Sequence, residues 1–152
     1  MNWDILDFAV FLGLIAVVVV AFRFAMRVSA DKAYRIGIGV ALLAAFILVW
    51  VNGAVGIIGN ESNDANMLFF GVLAVGFVGA VIARLHAKGM AKALLATAIA
   101  QVVVACVALI AGWGTSGPAW PLDVLALTVF FVALWLTAAA FFRHAARQLP
   151  TR

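Results

Sequence analysis

The sequence IGIGVALLAAFILVWVNGAVGII occupies residues 36–58 and contains no charged residue. A helix needs about 20 apolar residues to cross a hydrocarbon layer of about 30 Å, so this run is long enough to span a membrane by itself. Four further apolar runs surround it, at residues 8–22, 67–83, 93–113 and 124–142. They are continuously apolar and do not alternate, which favours helices over a β-barrel. The pattern predicts a polytopic bundle of transmembrane helices.

The composition supports the same conclusion. Of the 152 residues, 68% are hydrophobic and 11% are charged, against about 25% charged residues in an average soluble domain. A soluble globule of this size could not bury so much apolar surface, so that class is excluded. The net charge of +4 resides between the apolar runs, where cations report membrane orientation. We therefore expect no nucleic-acid partner.

We predict an all-α fold with one transmembrane domain over residues 1–152, because the joints between the apolar runs are too short to form a second domain. Polar flanks extend the shorter runs to spanning length at the headgroups. The predicted helices cover residues 5–27, 33–59, 64–84, 90–113 and 122–144.

Three of these helices carry an acid near the start and an arginine 20 residues later: Asp7 and Arg27, Asp64 and Arg84, Asp123 and Arg143. Twenty helical residues rise about 30 Å, so each pair places one charge at each membrane face. The acid at the start and the cation at the end also complement the helix dipole. The three helices are therefore predicted to run parallel.

Basic residues segregate completely. All ten Lys and Arg residues fall in the first joint, the third joint and the C-terminal tail, and Asp31 is the one acid among them. By the positive-inside rule, the N-terminus lies outside and the C-terminus in the cytoplasm. Acids precede the first apolar run and arginines follow it, so we interpret this run as a retained helix and not a signal peptide.

Five polar residues fall at depth in the predicted helices, and the first four form the candidate site: Asn52, Thr97, Gln101, Thr128 and Thr137. Asn52 and Thr128 lie at the same level, and Gln101 lies close to the midplane. We favour interhelical hydrogen bonds for them. The alternative is a small polar pocket for a neutral ligand or lipid headgroup.

The end of the second helix holds Gly53, Gly56 and Gly59, and a polar loop at residues 60–66 follows. We expect the glycines to permit close helix packing, with local unwinding as the alternative. Ser62 or Asp64 is the expected N-cap of the third helix.

A second candidate site is an outer-face polar cluster of Asn60, Glu61, Asp64 and Asp123. A membrane enzyme would need these acids to converge. No ionisable residue falls at mid-depth, which disfavours a proton relay, and the two histidines are too few to build a metal site. We expect no cofactor, no metal and no catalytic residue.

Residues 34–112, centred on VWVNGAVGIIG at residues 49–59, resemble small five-helix bacterial inner-membrane proteins that carry no assigned activity. The resemblance implies a bacterial source and a multi-pass inner-membrane location. It transfers no catalytic or binding residue.

The functional hypothesis is a structural or accessory subunit, not an enzyme, that packs in membrane lipid with a second copy or with another membrane protein. The first alternative is a small transporter or channel for a neutral solute, with a path lined by Asn52, Thr97, Gln101 and Thr128. The second is a membrane enzyme acting on lipid or quinone.

Overall fold

The structure is a computed structural model and describes residues 4–148. It is all-helical, and its five helices are long and apolar enough to cross a membrane, as predicted. A 3-10 turn at Asp64–Met67 leads into the third helix. The helices are α1 (Ile5–Met26), α2 (Lys32–Ala54), α3 (Leu68–Ile82), α4 (Ala87–Ala111) and α5 (Leu122–Arg147).

Aspartates start the first two helices. In α1, Asp4 and Asp7 form a reciprocal capping box, in which each carboxylate accepts the other's backbone N–H, at 2.9 and 3.1 Å. In α2, the Asp31 carboxylate accepts the N–H of Tyr34 at 3.0 Å. Such caps satisfy N–H groups that have no partner inside the helix. The one acid among the basic joints therefore has a local structural role.

Helix α5 is the centre of the bundle, with α2 on one side and α4 on the other. α3 packs on the far side of α4, and α1 on α2. The buried residues of α5 recur at alternating spacings of four and three, which produces one continuous stripe for packing against neighbouring helices. They are Val124, Thr128, Phe131, Trp135, Ala138, Phe142 and Ala145.

Helix α1 is peripheral. Ala25 is its one buried residue. The ring of Phe11 is tilted against Phe46 of α2 at a centroid distance of 5.9 Å and meets Trp50 of α2 edge-on at 5.0 Å. Most of its apolar side chains face outward. An outward apolar face is what a lipid solvent requires.

One end of the bundle, here called the basic end, brings together the α1–α2 joint, the α3–α4 turn and the end of α5. The Tyr34 hydroxyl donates to the carbonyl of Leu85 at 2.7 Å, and its ring meets Phe142 edge-on at 5.2 Å. Nine basic residues lie in or beside these three segments, and the tenth, Arg152, lies outside the described residues. The opposite end, the acidic end, carries Asp4, Asp7, Glu61, Asp64 and Asp123.

The predicted end of the second helix at residue 59 is wrong, because α2 ends at Ala54. The chain then unwinds, with φ of +77° at Gly56 and +76° at Gly59. A Cβ at Gly56 would lie 2.3 Å from the carbonyl carbon of Asn60. These glycines therefore allow a tight reversal, not the closer helix packing we expected. Ile57 and Ile58 in the reversal are fully buried.

Two smaller expectations also need correction. The residue that caps the 3-10 turn before α3 is Asn63, whose side chain accepts the N–H of Ala65 at 3.0 Å, and not Ser62 or Asp64. The fourth helix begins at Ala87, three residues before the predicted start. Its C-cap, Gly112, is left-handed with φ of +66°, a conformation that glycine adopts without steric cost.

Candidate functional site

The acidic end is organised by an asparagine cluster, which we define as Asn52, Asn60, Asn63 and Asn66. Asn66 is its centre and is buried. The Asn66 Oδ1 accepts the N–H groups of Ile57 and Ile58 at 3.0 and 2.8 Å, and its Nδ2 donates to the carbonyl of Asn60 at 2.7 Å. One side chain thus satisfies three backbone groups of the unwound segment.

The cluster also joins elements that are distant in the chain. Asn52, in the last turn of α2, donates from Nδ2 to the backbone carbonyl of Asn66 at 2.9 Å. Asn63 donates to the carbonyl of Trp113, just after α4, at 2.6 Å. Because these bonds connect α2, the α2–α3 loop and the α4–α5 loop, the asparagine cluster holds the acidic end together.

The two loops at this end approach to backbone contact. A Cβ at Gly59 would lie 3.2 Å from the Cα of Gly114, and one at Gly117 would lie 2.8 Å from the Cα of Gly59. A Cβ at Gly114 would meet the ring of Trp120 at 2.5 Å. A side chain at Gly59 or Gly117 would push the two loops apart, and one at Gly114 would displace the Trp120 ring.

A second polar group lies in the interior between α4 and α5. The indole Nε1 of Trp135 donates to Oε1 of Gln101 at 3.3 Å, and both residues are buried. One turn away on α4, the Thr97 hydroxyl donates to the carbonyl of Ala93 in its own helix at 2.8 Å. Gln101 therefore makes an interhelical bond, whereas Thr97 bonds within its helix.

Three buried side-chain atoms have no hydrogen-bond partner among the described residues: Asn52 Oδ1, Gln101 Nε2 and Thr128 Oγ1. They belong to α2, α4 and α5, respectively. A buried polar atom without a partner costs about 1–3 kcal/mol. These atoms are the feature of the interior that hydrogen bonding within residues 4–148 does not explain.

The outer-face polar cluster lies at the acidic end, and Asn60 and Asp123 make local side-chain hydrogen bonds there. Glu61 and Asp64 are exposed, and Asp123 accepts the N–H of its neighbour Val124 at 2.8 Å. Asn60 accepts from the backbone and hydroxyl of Ser62 at 3.1 and 2.7 Å. Across residues 4–148, no group of three or more His, Cys, Asp or Glu residues could hold a metal ion.

Two surface grooves run between helices at the basic end. One, of about 860 Å³, lies between α1 and α2 and ends at Arg23 and Arg27. The other, of about 640 Å³, lies between α4 and α5 and is lined by four basic residues. Sequence reasoning missed both grooves, and it also missed the central position of Asn66.

The fold, with five candidate spans, indicates a multi-pass membrane protein. Comparisons with protein-family models, curated proteins and solved structures returned no match to this chain. The resemblance of residues 34–112 to small bacterial inner-membrane proteins therefore stays a prediction.

Proposed function

We propose that this chain is a multi-pass protein of a bacterial inner membrane, with its N-terminus outside and its basic end in the cytoplasm. The support is the gathering of nine described basic residues at one end of the bundle, which the positive-inside rule assigns to the cytoplasmic face.

Two single-cysteine variants test this orientation in a Cys106→Ser background. A membrane-impermeant maleimide added to intact spheroplasts should label Ser116→Cys, in the exposed α4–α5 loop, and should leave His86→Cys, in the exposed α3–α4 turn, unlabelled. Labelling both after lysis is the accessibility control. Labelling of His86→Cys but not of Ser116→Cys in intact spheroplasts would overturn the orientation.

Within that membrane, we propose a structural or accessory role in which the chain packs with a second copy or with another membrane protein, without catalysis. Helix α1 carries this proposal. It contributes one residue, Ala25, to the interior, so it gains little from its own bundle. Helix association in lipid depends on packing because lipid is as apolar as the side chains. A partner helix against the exposed faces of α1 would supply the packing that α1 lacks.

Photo-crosslinking distinguishes a protein partner from lipid. A photoreactive residue at Val17 of α1 should form a discrete protein adduct in native membranes. Val129 of α5 is equally apolar and also exposed, so it is the matched control position and should form lipid adducts only. Mass spectrometry of the intact complex, extracted in native lipid, would identify the partner and its copy number. Lipid adducts alone at both positions would refute the accessory role.

A second candidate function, passage of a small neutral solute, is favoured by the three unpartnered polar atoms of Asn52, Gln101 and Thr128. A permeating solute could bond with them in turn. Solute flux into proteoliposomes should then exceed that into empty liposomes, and Gln101→Leu should reduce it. Thr137→Val is the control, because Thr137 is exposed and bonds to Ala133 within its own helix. Flux equal to that of empty liposomes would exclude this candidate.

A further inference from the structure

The groove between α4 and α5 concentrates positive charge at the basic end. Four of its lining residues are Lys88, Lys92, Arg143 and Arg147, and none of the residues that line it is acidic. Its volume of about 640 Å³ falls within the range of small-molecule sites, about 300–1,000 Å³.

The helix register sets these cations on opposite walls. Each pair is separated by four residues, so its members lie one above the other on the same helix face. The bond between Gln101 and Trp135 fixes the antiparallel register of α4 and α5. Extending that register to the basic end brings Lys92 to within about one residue of the level of Arg143 and, one turn further out, Lys88 to within about one residue of the level of Arg147. Two cations therefore face each other at each of two levels.

No opposite charge within the groove compensates this arrangement. The first turn of α4 contains no acid, and its N-cap, His86, donates or accepts no side-chain capping bond. The positive end of the α4 dipole thus adds to the charge of the lysines. Four cations at short range repel one another, so an anion from outside the chain would stabilise them.

The remainder of the groove is apolar. Leu95 and Leu136 line it further from the basic end, and the small side chains of Ala91, Ala139 and Ala140 also line it. A soluble anion would contact only the charged mouth. An anion that carries a hydrocarbon chain would fill both parts, because the chain could lie along the alanine and leucine wall.

We infer that this groove binds an anionic phospholipid, with the headgroup phosphate among Lys88, Lys92, Arg143 and Arg147 and an acyl chain along Leu95 and Leu136. Arginine suits phosphate because its planar guanidinium donates two parallel hydrogen bonds. Basic pockets between transmembrane helices are a general mode of anionic headgroup recognition. The inference requires α4 and α5 to lie in a membrane, but neither the accessory role nor solute passage.

Native mass spectrometry of the purified full-length protein tests the charge requirement. The probes are phosphatidylglycerol and phosphatidylethanolamine with identical acyl chains. The wild type should retain phosphatidylglycerol preferentially. Lys88→Gln/Arg143→Gln should weaken that retention about 25-fold, at about fivefold for each cation. Lys32→Gln/Arg84→Gln removes the same charge from the basic end outside this groove and should leave retention nearly unchanged. Equal retention of the two lipids, or an equal loss in both variants, would overturn the inference.

A second pair of variants tests the acyl wall without changing charge or breaking the core. Ala140→Phe, at an exposed position that lines the groove, should reduce retention, because its ring would occupy the space of the acyl chain. Ala133→Phe, exposed on α5 and outside the groove lining, should not. Unchanged retention of phosphatidylglycerol by Ala140→Phe, or its full displacement by equimolar inorganic phosphate, would overturn the lipid assignment and indicate a site for a soluble anion.

Discussion

Replacing Asn66 by leucine should destabilise the acidic end more than any other single asparagine change in the α2–α3 loop. Its side chain accepts the N–H groups of Ile57 and Ile58 and donates to the carbonyl of Asn60. Leucine has a similar volume and can make none of these bonds. Three backbone groups would lose their partners in a segment whose two isoleucines are fully buried.

The magnitude follows from those three groups. At about 1–3 kcal/mol for each unsatisfied buried group, the upper range is about 9 kcal/mol. Because the loop lies at the end of the bundle, water can reach part of it, and we expect about 3–5 kcal/mol for Asn66→Leu. Asn66→Asp should fall between this variant and the wild type, since its carboxylate still accepts both isoleucine N–H groups but repels the carbonyl of Asn60.

Equilibrium unfolding in mixed micelles of SDS and a mild detergent, followed by tryptophan fluorescence, measures these differences. Asn60→Ala is the matched control, because its exposed side chain bonds only within its own turn, to Ser62, and its loss should cost less than about 1 kcal/mol. Amide exchange at Ile57 and Ile58 should accelerate in Asn66→Leu alone. If Asn66→Leu and Asn60→Ala lowered the unfolding free energy equally, with unchanged exchange at both isoleucines, the reasoning would be refuted.

Three further predictions concern packing and turns, and the same unfolding assay measures all of them. Gly79→Ala should lower the free energy of unfolding by about 1–3 kcal/mol, because its Cβ would lie 2.7 Å from the Cβ of Ala93 in α4. Gly71→Ala has nothing within 4 Å of its Cβ and should stabilise α3 by about 1 kcal/mol. Equal effects of the two variants on the free energy of unfolding would contradict this. Arg84→Gly should stabilise by about 1 kcal/mol, since Arg84 has φ of +50°; a loss of stability would disprove it. Tyr34→Phe should cost about 1–2 kcal/mol through its lost bond to Leu85, and an unchanged free energy would argue against that bond.

Membrane-type helices were predictable from the sequence because their signal is local. The number of candidate spans agrees with the prediction, and the starts of α1, α2 and α5 lie within one residue of it. Apolar length and flanking charge act within a single segment, so no knowledge of neighbouring helices is needed.

The end of α2 was not predictable in the same way. The glycines at 56 and 59 allow both a packed helix and a reversal, and hydropathy favours continuation. The bonds from Asn66 to Ile57 and Ile58 select the reversal, and they exist only when the loop folds back on itself. The sequence does place Asn66 a few residues after Gly56, Gly59 and the two isoleucines. That spacing alone does not show which backbone groups the Asn66 side chain binds.

The polar residues at depth show the same division. Their positions could be read from the chain, but their partners could not: Gln101 pairs with Trp135, Asn52 pairs with the backbone of Asn66, and Thr97 bonds to its own helix. The pairing depends on which helices are neighbours, a property of the whole bundle.

The sequence by itself determined that the chain is all-helical, where its apolar helices lie and how its charges are segregated along it. These properties are sums of transfer free energies and charges within single segments. Only the tertiary structure decided that α5 is central, that the α2–α3 loop folds around Asn66, and that Lys88, Lys92, Arg143 and Arg147 line one groove. Those features require two segments to meet in a defined register, and side-chain packing between distant parts of the chain sets that register.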